Sequence, residues 1–220
     1  YGATLTPSFA PSESWEYSNT NYSLLSYIAN AALKKQGKAT QWREEIVKQI
    51  LNPLQLKGSR LLAPSQIETY DGSSAYYLDE TPHQTKSSLY DLTLVNSSMA
   101  GAAGGNALST TTEDLNLFYR ALLNGKLFQS PSTLDEMMTF VQQPDDGSHE
   151  AHEYGLGLGK YHLNELWAYG HTGGAAGHSS FSGYLPEIDT SVSLAVNIFR
   201  SNHDNDVVTA LGYITDLLLE

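Results

Sequence analysis

The sequence predicts an α/β fold in which a mostly helical region, residues 1–147, is followed by an antiparallel sheet with one covering helix, residues 148–220, together part of one domain. Three observations carry this. Before Gly147 the apolar residues recur at helical spacing behind capping residues. After it come four strand-like runs at short intervals, YGLGLGKYHL, ELWAYGH, HSSFSGYLPE and SVSLAVNIF, the pattern of a meander. From Asp204 to Leu219 the helical period returns, with Val207, Val208, Leu211, Ile214 and Leu218 on one face and Asp204 and Asp206 favourable in the first turn.

In chain order, residues 1–16 are rich in Pro, Ser and Thr and read as a loop ending in Trp15-Glu16. From Tyr22 onward, Leu24, Leu25, Ile28, Ala31 and Ala32 predict a helix that Gly37 stops, which leaves Tyr17-Ser18-Asn19 in a loop. Thr40 is the expected N-cap of a second helix carrying Trp42, Ile46, Ile50 and Leu51, closed by Pro53. Residues 54–98 read as loops and short elements. A helix carrying Leu115, Phe118, Tyr119 and Leu122 follows, capped by Thr110 or Thr111 and ended by Gly125. Ser132 then caps a helix with Leu134, Met137, Met138 and Val141, and Asp135 sits at the reciprocal capping position. A single terminal helix covers only part of one sheet face, so the sheet is expected to need a partner, and a preceding segment is the expected source.

Composition narrows the function classes. Lys+Arg is 12 against Asp+Glu 24, a formal charge of −12 with pI ≈ 4.9, which disfavours nucleic acid and anionic membrane surfaces as partners. Without cysteine the chain has no disulfide, thiolate metal site or cysteine nucleophile. No apolar run reaches the ~18 residues of a membrane span, and no signal peptide is visible.

The stretch around which the chain is organised is residues 169–177, YGHTGGAAG. Glycines at 170, 173, 174 and 177 allow close backbone approach or positive φ, and an edge strand of this kind offers N–H and C=O groups to a ligand beside one histidine and one hydroxyl. It lies 154 residues beyond Tyr17-Ser18-Asn19. The order and surroundings of these motifs, in WEYSNTNYSLLSYI, NPLQL, AGGNALSTTTEDLNLFYRALLNGKL, YGLGL, YGHTGGAAGHSSFSGYLPE and VSLAVN, resemble the C-terminal part of the serine penicillin-recognising enzymes. These are the class C β-lactamases, the allied D-Ala-D-Ala carboxypeptidases, and related esterases and D-aminopeptidases. The resemblance covers nearly all of the chain and implies a β-lactamase/transpeptidase-like fold.

The same resemblance implies roles. Tyr17 would be the general base toward a nucleophilic serine and then the acid for the leaving amine. A free phenol, with pKa ~10, is only about 0.1 % ionised at neutral pH, and lowering that value by two units takes roughly 2.7 kcal/mol of local stabilisation. Asn19 would bind the substrate's amide side chain. Thr172, with His171 and Gly173, would hold the substrate's carboxylate, and Asn202 falls near a carboxylate-side asparagine of related β-lactamases. The Gly174 N–H would be one of two oxyanion donors, worth about 3 kcal/mol.

Two departures matter. Every lysine from Lys34 to Lys160 has something other than serine three positions earlier, so the Ser-x-x-Lys motif of the nucleophile is expected on a segment preceding this chain or on a companion chain. Most β-lactamases of the class have lysine where this chain has His171, whereas a subset of carboxypeptidases and peptidases has histidine. An imidazole ordinarily titrates near ~6.5, so activity of the complete protein is expected to fall on the acid side. The expectation is a D-Ala-D-Ala carboxypeptidase-like serine hydrolase, with esterase or β-lactamase on the same scaffold, or a binding protein lacking the nucleophile, as alternatives. Substrates would be small peptides, esters or β-lactams, met outside the cytoplasm, with no metal or organic cofactor. The cluster Asp145, Asp146, His149, Glu150, His152 and Glu153 reads as a solvated acidic loop, and GHSSF at 177–181 reads as strand rather than as a nucleophile elbow.

Overall fold

The computed structural model describes residues 6–61, 76–79, 88–92, 108–142, 153–175, 177–200 and 206–219. Helix α1 (Asn19–Lys35) begins one residue earlier than the expected start just after Asn19, because the Ser18 hydroxyl accepts the orphan N–H of Thr20 and caps it. Tyr17 and the capping Ser18 therefore stay outside the helix, and Asn19 is its first residue. Gly37, at φ +75°, ends it as predicted. Helix α2 (Trp42–Ile46) continues as a π-helical turn (Val47–Leu51). Its N-cap is Gln41 rather than Thr40, whose hydroxyl instead donates to the buried carboxylate of Glu45 at 2.7 Å. Bonds from Thr40 and Gln49 hold the Glu45 carboxyl below its ordinary pKa.

Helix α3 (Thr112–Leu123) is capped by Thr111, which accepts from the Asp114 N–H, and is ended by Gly125 at φ +71°. Helix α4 (Pro131–Met137) is capped at Ser130, not Ser132, because Pro131 supplies a preset φ where a missing N–H costs nothing. Val141, expected on that helix, starts strand β5 below.

The expected meander is present and is longer than predicted. One sheet runs β10-β9-β8-β7-β6-β5, each neighbouring pair antiparallel. Its strands are β5 (Val141–Gln142), β6 (Glu153–Tyr154), β7 (Gly159–Leu163), β8 (Leu166–Ala175), β9 (His178–Leu185) and β10 (Thr190–Val196). β7 and β8 join through the two-residue turn Asn164-Glu165, with Asn164 at φ +55° as a hairpin of this length requires. After Asn197 the chain leaves this sheet, and β11 (Ile198–Arg200) pairs parallel with β2 (Tyr76–Asp79), itself antiparallel to β3 (Ser88–Asp91). A two-residue pair, β1 (Arg60–Leu61) and β4 (Leu108–Ser109), braces the start of α3.

Alternation along the strands gives the sheet two different faces. Tyr161, Leu163, Leu166, Ala168, Phe181 and Leu185 share one face and form the core with Val207 and Leu211 of α5 (Asp206–Leu219). Phe181 and Leu211 are fully buried, each worth ~1.5–3 kcal/mol. The buried stripe of α5 is Val207, Leu211 and Thr215; Ile214 and Leu218, expected on that face, are exposed at 36% and 46% beside Tyr213 and Leu217. The helix therefore touches the sheet along an i, i+4 row rather than the broader face its composition suggested. The opposite sheet face carries Ser182 and Ser193 and packs on α3, where Ser193 donates to Asn116 at 2.7 Å. Arg120 of α3 grips the turn between β9 and β10 through the Asp189 carbonyl, at 2.9 Å, and carboxylate.

Candidate active site

A glycine-dependent contact and an open strand edge aim the site. β8 lies between β7 and β9 as far as Gly170, but from His171 onward its register runs with β9 alone, so the strand expected at an edge is one only in its second half. Thr172 turns its N–H away from β9 and donates to the Tyr161 hydroxyl at 3.1 Å. Every second residue does the same, so the Gly174 N–H points to this open edge, and Gly174 itself is exposed. The Tyr161 ring reaches Thr172 only by lying over Gly159, where a Cβ would come within 2.7 Å of it.

The opposing wall is built by residues 15–22. Trp15 stacks on Tyr154 with ring centroids 5.6 Å apart and donates its indole N–H to the Gln142 carbonyl at 3.0 Å. Tyr22, one turn into α1, shares a hydrogen bond of 2.6 Å with the Tyr154 hydroxyl. Between them the Tyr17 ring is 44% exposed, 5.6 Å from Tyr22, 5.9 Å from Tyr154 and 6.0 Å from His171. Its hydroxyl donates to Asn19 Oδ1 at 3.3 Å, so what Asn19 offers a ligand is its amide nitrogen. The structure thus brings together Tyr17, Asn19 and His171 from opposite ends of the chain.

His171 is held at both ring nitrogens. Nδ1 lies 2.5 Å from the Thr172 carbonyl and Nε2 lies 2.8 Å from the Tyr154 hydroxyl. Burial and the bond to Tyr22 push the Tyr154 phenol well above the ordinary tyrosine range, so Tyr154 stays protonated and does not serve as a base. His171 pairs with Ser182 and Thr172 with Phe181, so their side chains leave β8 on opposite faces. A ligand held by both must sit at the strand edge between them, next to exposed Gly173 and Gly174. Asn202 and the 145–152 part of the acidic cluster lie outside the described residues. Among the described residues no group of His, Asp and Glu side chains is arranged to hold a metal ion, and no helix is long and apolar enough to cross a membrane.

Sequence reasoning missed Trp15, Tyr22, Tyr154 and Tyr161. The signal was the glycine spacing of YGLGLG. A Cβ at Gly155 would strike the Met137 carbonyl, Gly157 has φ +76°, and Gly159 clears the Tyr161 ring. Three glycines with separate steric reasons lie between Tyr154 and Tyr161, which both face the site.

The family model described as Beta-lactamase matches residues 1–214. The chain belongs to the Beta-lactamase family. Among solved structures it is similar to a D-stereospecific amidohydrolase from Streptomyces sp., with 29% identity and TM-score 0.70 over 94% of this chain and 57% of that one. It is also similar to a D-amino acid amidase from Ochrobactrum anthropi SV3 complexed with L-phenylalanine amide, with 21% identity and TM-score 0.75 over 94% and 58%. A third is an octameric penicillin-binding protein homologue from Pyrococcus abyssi, with 23% identity and TM-score 0.64 over 94% and 44%. The last two likenesses establish the fold, that of the serine penicillin-recognising enzymes. This Beta-lactamase-family chain spans less than three fifths of the length of each of these proteins.

Proposed function

We propose that these residues are the C-terminal part of a serine acyl-hydrolase working through an acyl-enzyme, with D-Ala-D-Ala carboxypeptidase-like activity on small peptides outside the cytoplasm. The observation that carries the reading is the facing of Tyr17 and His171, 6.0 Å apart, across an open strand edge that ends in exposed Gly173-Gly174. The nucleophile, a serine of a Ser-x-x-Lys motif, lies outside these 220 residues. Its Oγ attacks the scissile carbonyl while Tyr17, as phenolate, takes the hydroxyl proton. The oxyanion is held by the N–H of Gly174 and that of the serine. Tyr17 then passes the proton to the leaving amine, the C–N bond breaks, and water repeats the sequence on the ester. Asn19 orients the substrate's amide, and Thr172 and Gly173 hold its carboxylate.

A second reading, hydrolysis of a D-amino acid amide, is favoured by the 29% identity to the D-stereospecific amidohydrolase. The test is intact-mass measurement on the full-length protein before and after an acylating penicillin, followed by turnover of a D-Ala-D-Ala peptide and a D-amino acid amide. A penicillin-sized adduct is expected, with faster release of D-Ala. Turnover of the amide alone selects the second reading. Neither adduct nor turnover overturns both.

A further inference from the structure

The hydrogen bonds of His171 form a directed chain. The Thr172 carbonyl can only accept, so Nδ1 of His171, 2.5 Å away, carries the proton of that bond. In the neutral ring Nε2 is then an acceptor, and the Tyr154 hydroxyl, 2.8 Å away, donates to it. Tyr154 has one proton, so the 2.6 Å bond to Tyr22 is donated by Tyr22. The sequence Tyr22, Tyr154, His171, Thr172 is polarised in one direction and ends on a carbonyl of the open edge. The imidazole meets the Tyr154 ring edge-on, at 87° and 5.6 Å, and Trp15 stacks on that ring from the N-terminal segment.

We infer that Tyr154 is a positioning residue. Its hydroxyl fixes His171 in the Nδ1–H tautomer and fastens the ring to the Thr172 carbonyl, which sets the substrate-facing edge of β8. Because Tyr154 resists ionisation, it keeps the donor role. With both nitrogens engaged inside the protein, His171 acts by holding the strand edge and not by donating a ring N–H to a substrate carboxylate. The inference rests on the proposed acyl-transfer site for its catalytic consequence, but the tautomer itself is independent of activity.

The test uses Tyr154→Phe and Tyr22→Phe in the full-length protein. Both remove one hydroxyl from the same Tyr22 to Tyr154 bond, so a purely structural role predicts like effects. Only Tyr154→Phe removes the donor to His171. Imidazole ¹⁵N chemical shifts are expected to show a single Nδ1–H tautomer for the natural protein and Tyr22→Phe, and a mixture for Tyr154→Phe. Turnover is expected to fall by about tenfold in Tyr154→Phe, with KM within about twofold, and much less in Tyr22→Phe. A retained single tautomer in Tyr154→Phe, or equal effects of the two variants, overturns the inference. If the natural protein hydrolyses none of the substrates, the function reading fails while the tautomer measurement still decides this one.

Discussion

Gly170 is the position where the close approach of β8 and β9 can be tested most directly. It sits opposite Gly183, and since Gly170, like Thr172, turns its N–H away from β9, the pair is of the non-hydrogen-bonded kind in which Cα atoms come closest. A Cβ at Gly170 would lie 2.6 Å from the Gly183 Cα and nearer still to the Ser182 carbonyl oxygen. Carbon atoms prefer about 3.5–4.0 Å, so the strands must part by roughly 1 Å, and both obstacles are backbone. Overpacking of this kind costs about 1–3 kcal/mol, and stretching neighbouring ladder bonds adds ~1 kcal/mol each. We expect Gly170→Ala to lose about 3–4 kcal/mol in urea unfolding, a midpoint shift of roughly 1.5–2 M at an m-value of ~2 kcal/mol/M. Gly173→Ala is the control. Its Cβ meets only the Ser180 hydroxyl, a side-chain end that rotates aside, so its cost is expected to stay under about 1 kcal/mol. A Gly170→Ala midpoint within 0.5 M (roughly 1 kcal/mol) of the natural protein, or equal losses for the two variants, refutes the packing argument.

Three further outcomes are expected. Tyr17→Phe should slow acylation of the full-length protein by about 10²–10⁴-fold with stability nearly unchanged, and stopped-flow acylation at the natural rate would remove Tyr17 from the chemistry. Tyr161→Phe takes the acceptor from the Thr172 N–H at the cost of about 1 kcal/mol; an unmoved urea midpoint would mean that the N–H finds another partner. The Asp189 carboxyl is held below its ordinary pKa by the Tyr184 hydroxyl, 2.6 Å away, and by Arg120. A depressed folded value means that its stabilising contribution is full above the unfolded pKa of ~3.9 and is lost as pH falls through the folded value. Asp189→Asn should therefore be less stable than the natural protein at pH ~7, with the gap closing below pH ~4; a gap of constant size down to pH ~3 counts against this pairing.

The elements legible in the sequence are those whose signals are local. The period-2 runs of β7 to β10, the Gly37 and Gly125 stops and the Thr111 cap all depend on neighbours within a few residues. What was not legible depends on distant partners. Thr40 leaves its capping position because Glu45 needs a donor, and β11 departs from the sheet at Asn197 because β2, more than a hundred residues earlier, supplies a parallel edge. The site divides in the same way. Tyr17, Asn19 and His171 lie in recognisable motifs, whereas Tyr154 and Tyr22 matter through one bond between residues 132 positions apart. No periodicity records such a bond.

That same long reach bears on how the protein is made. Trp15 is tied to Gln142, Tyr22 to Tyr154, and Tyr17 faces a ring 154 residues further on. At synthesis rates of about 5–20 residues per second, the wall that carries Tyr17 leaves the ribosome roughly 8–30 s before the strand that completes the cleft. Closing so large a loop is slow and depends on the sheet having formed first. The assembled Tyr17 and His171 pair is therefore a late product of folding, and a nascent chain interrupted before β8 carries Tyr17 without the strand edge that faces it.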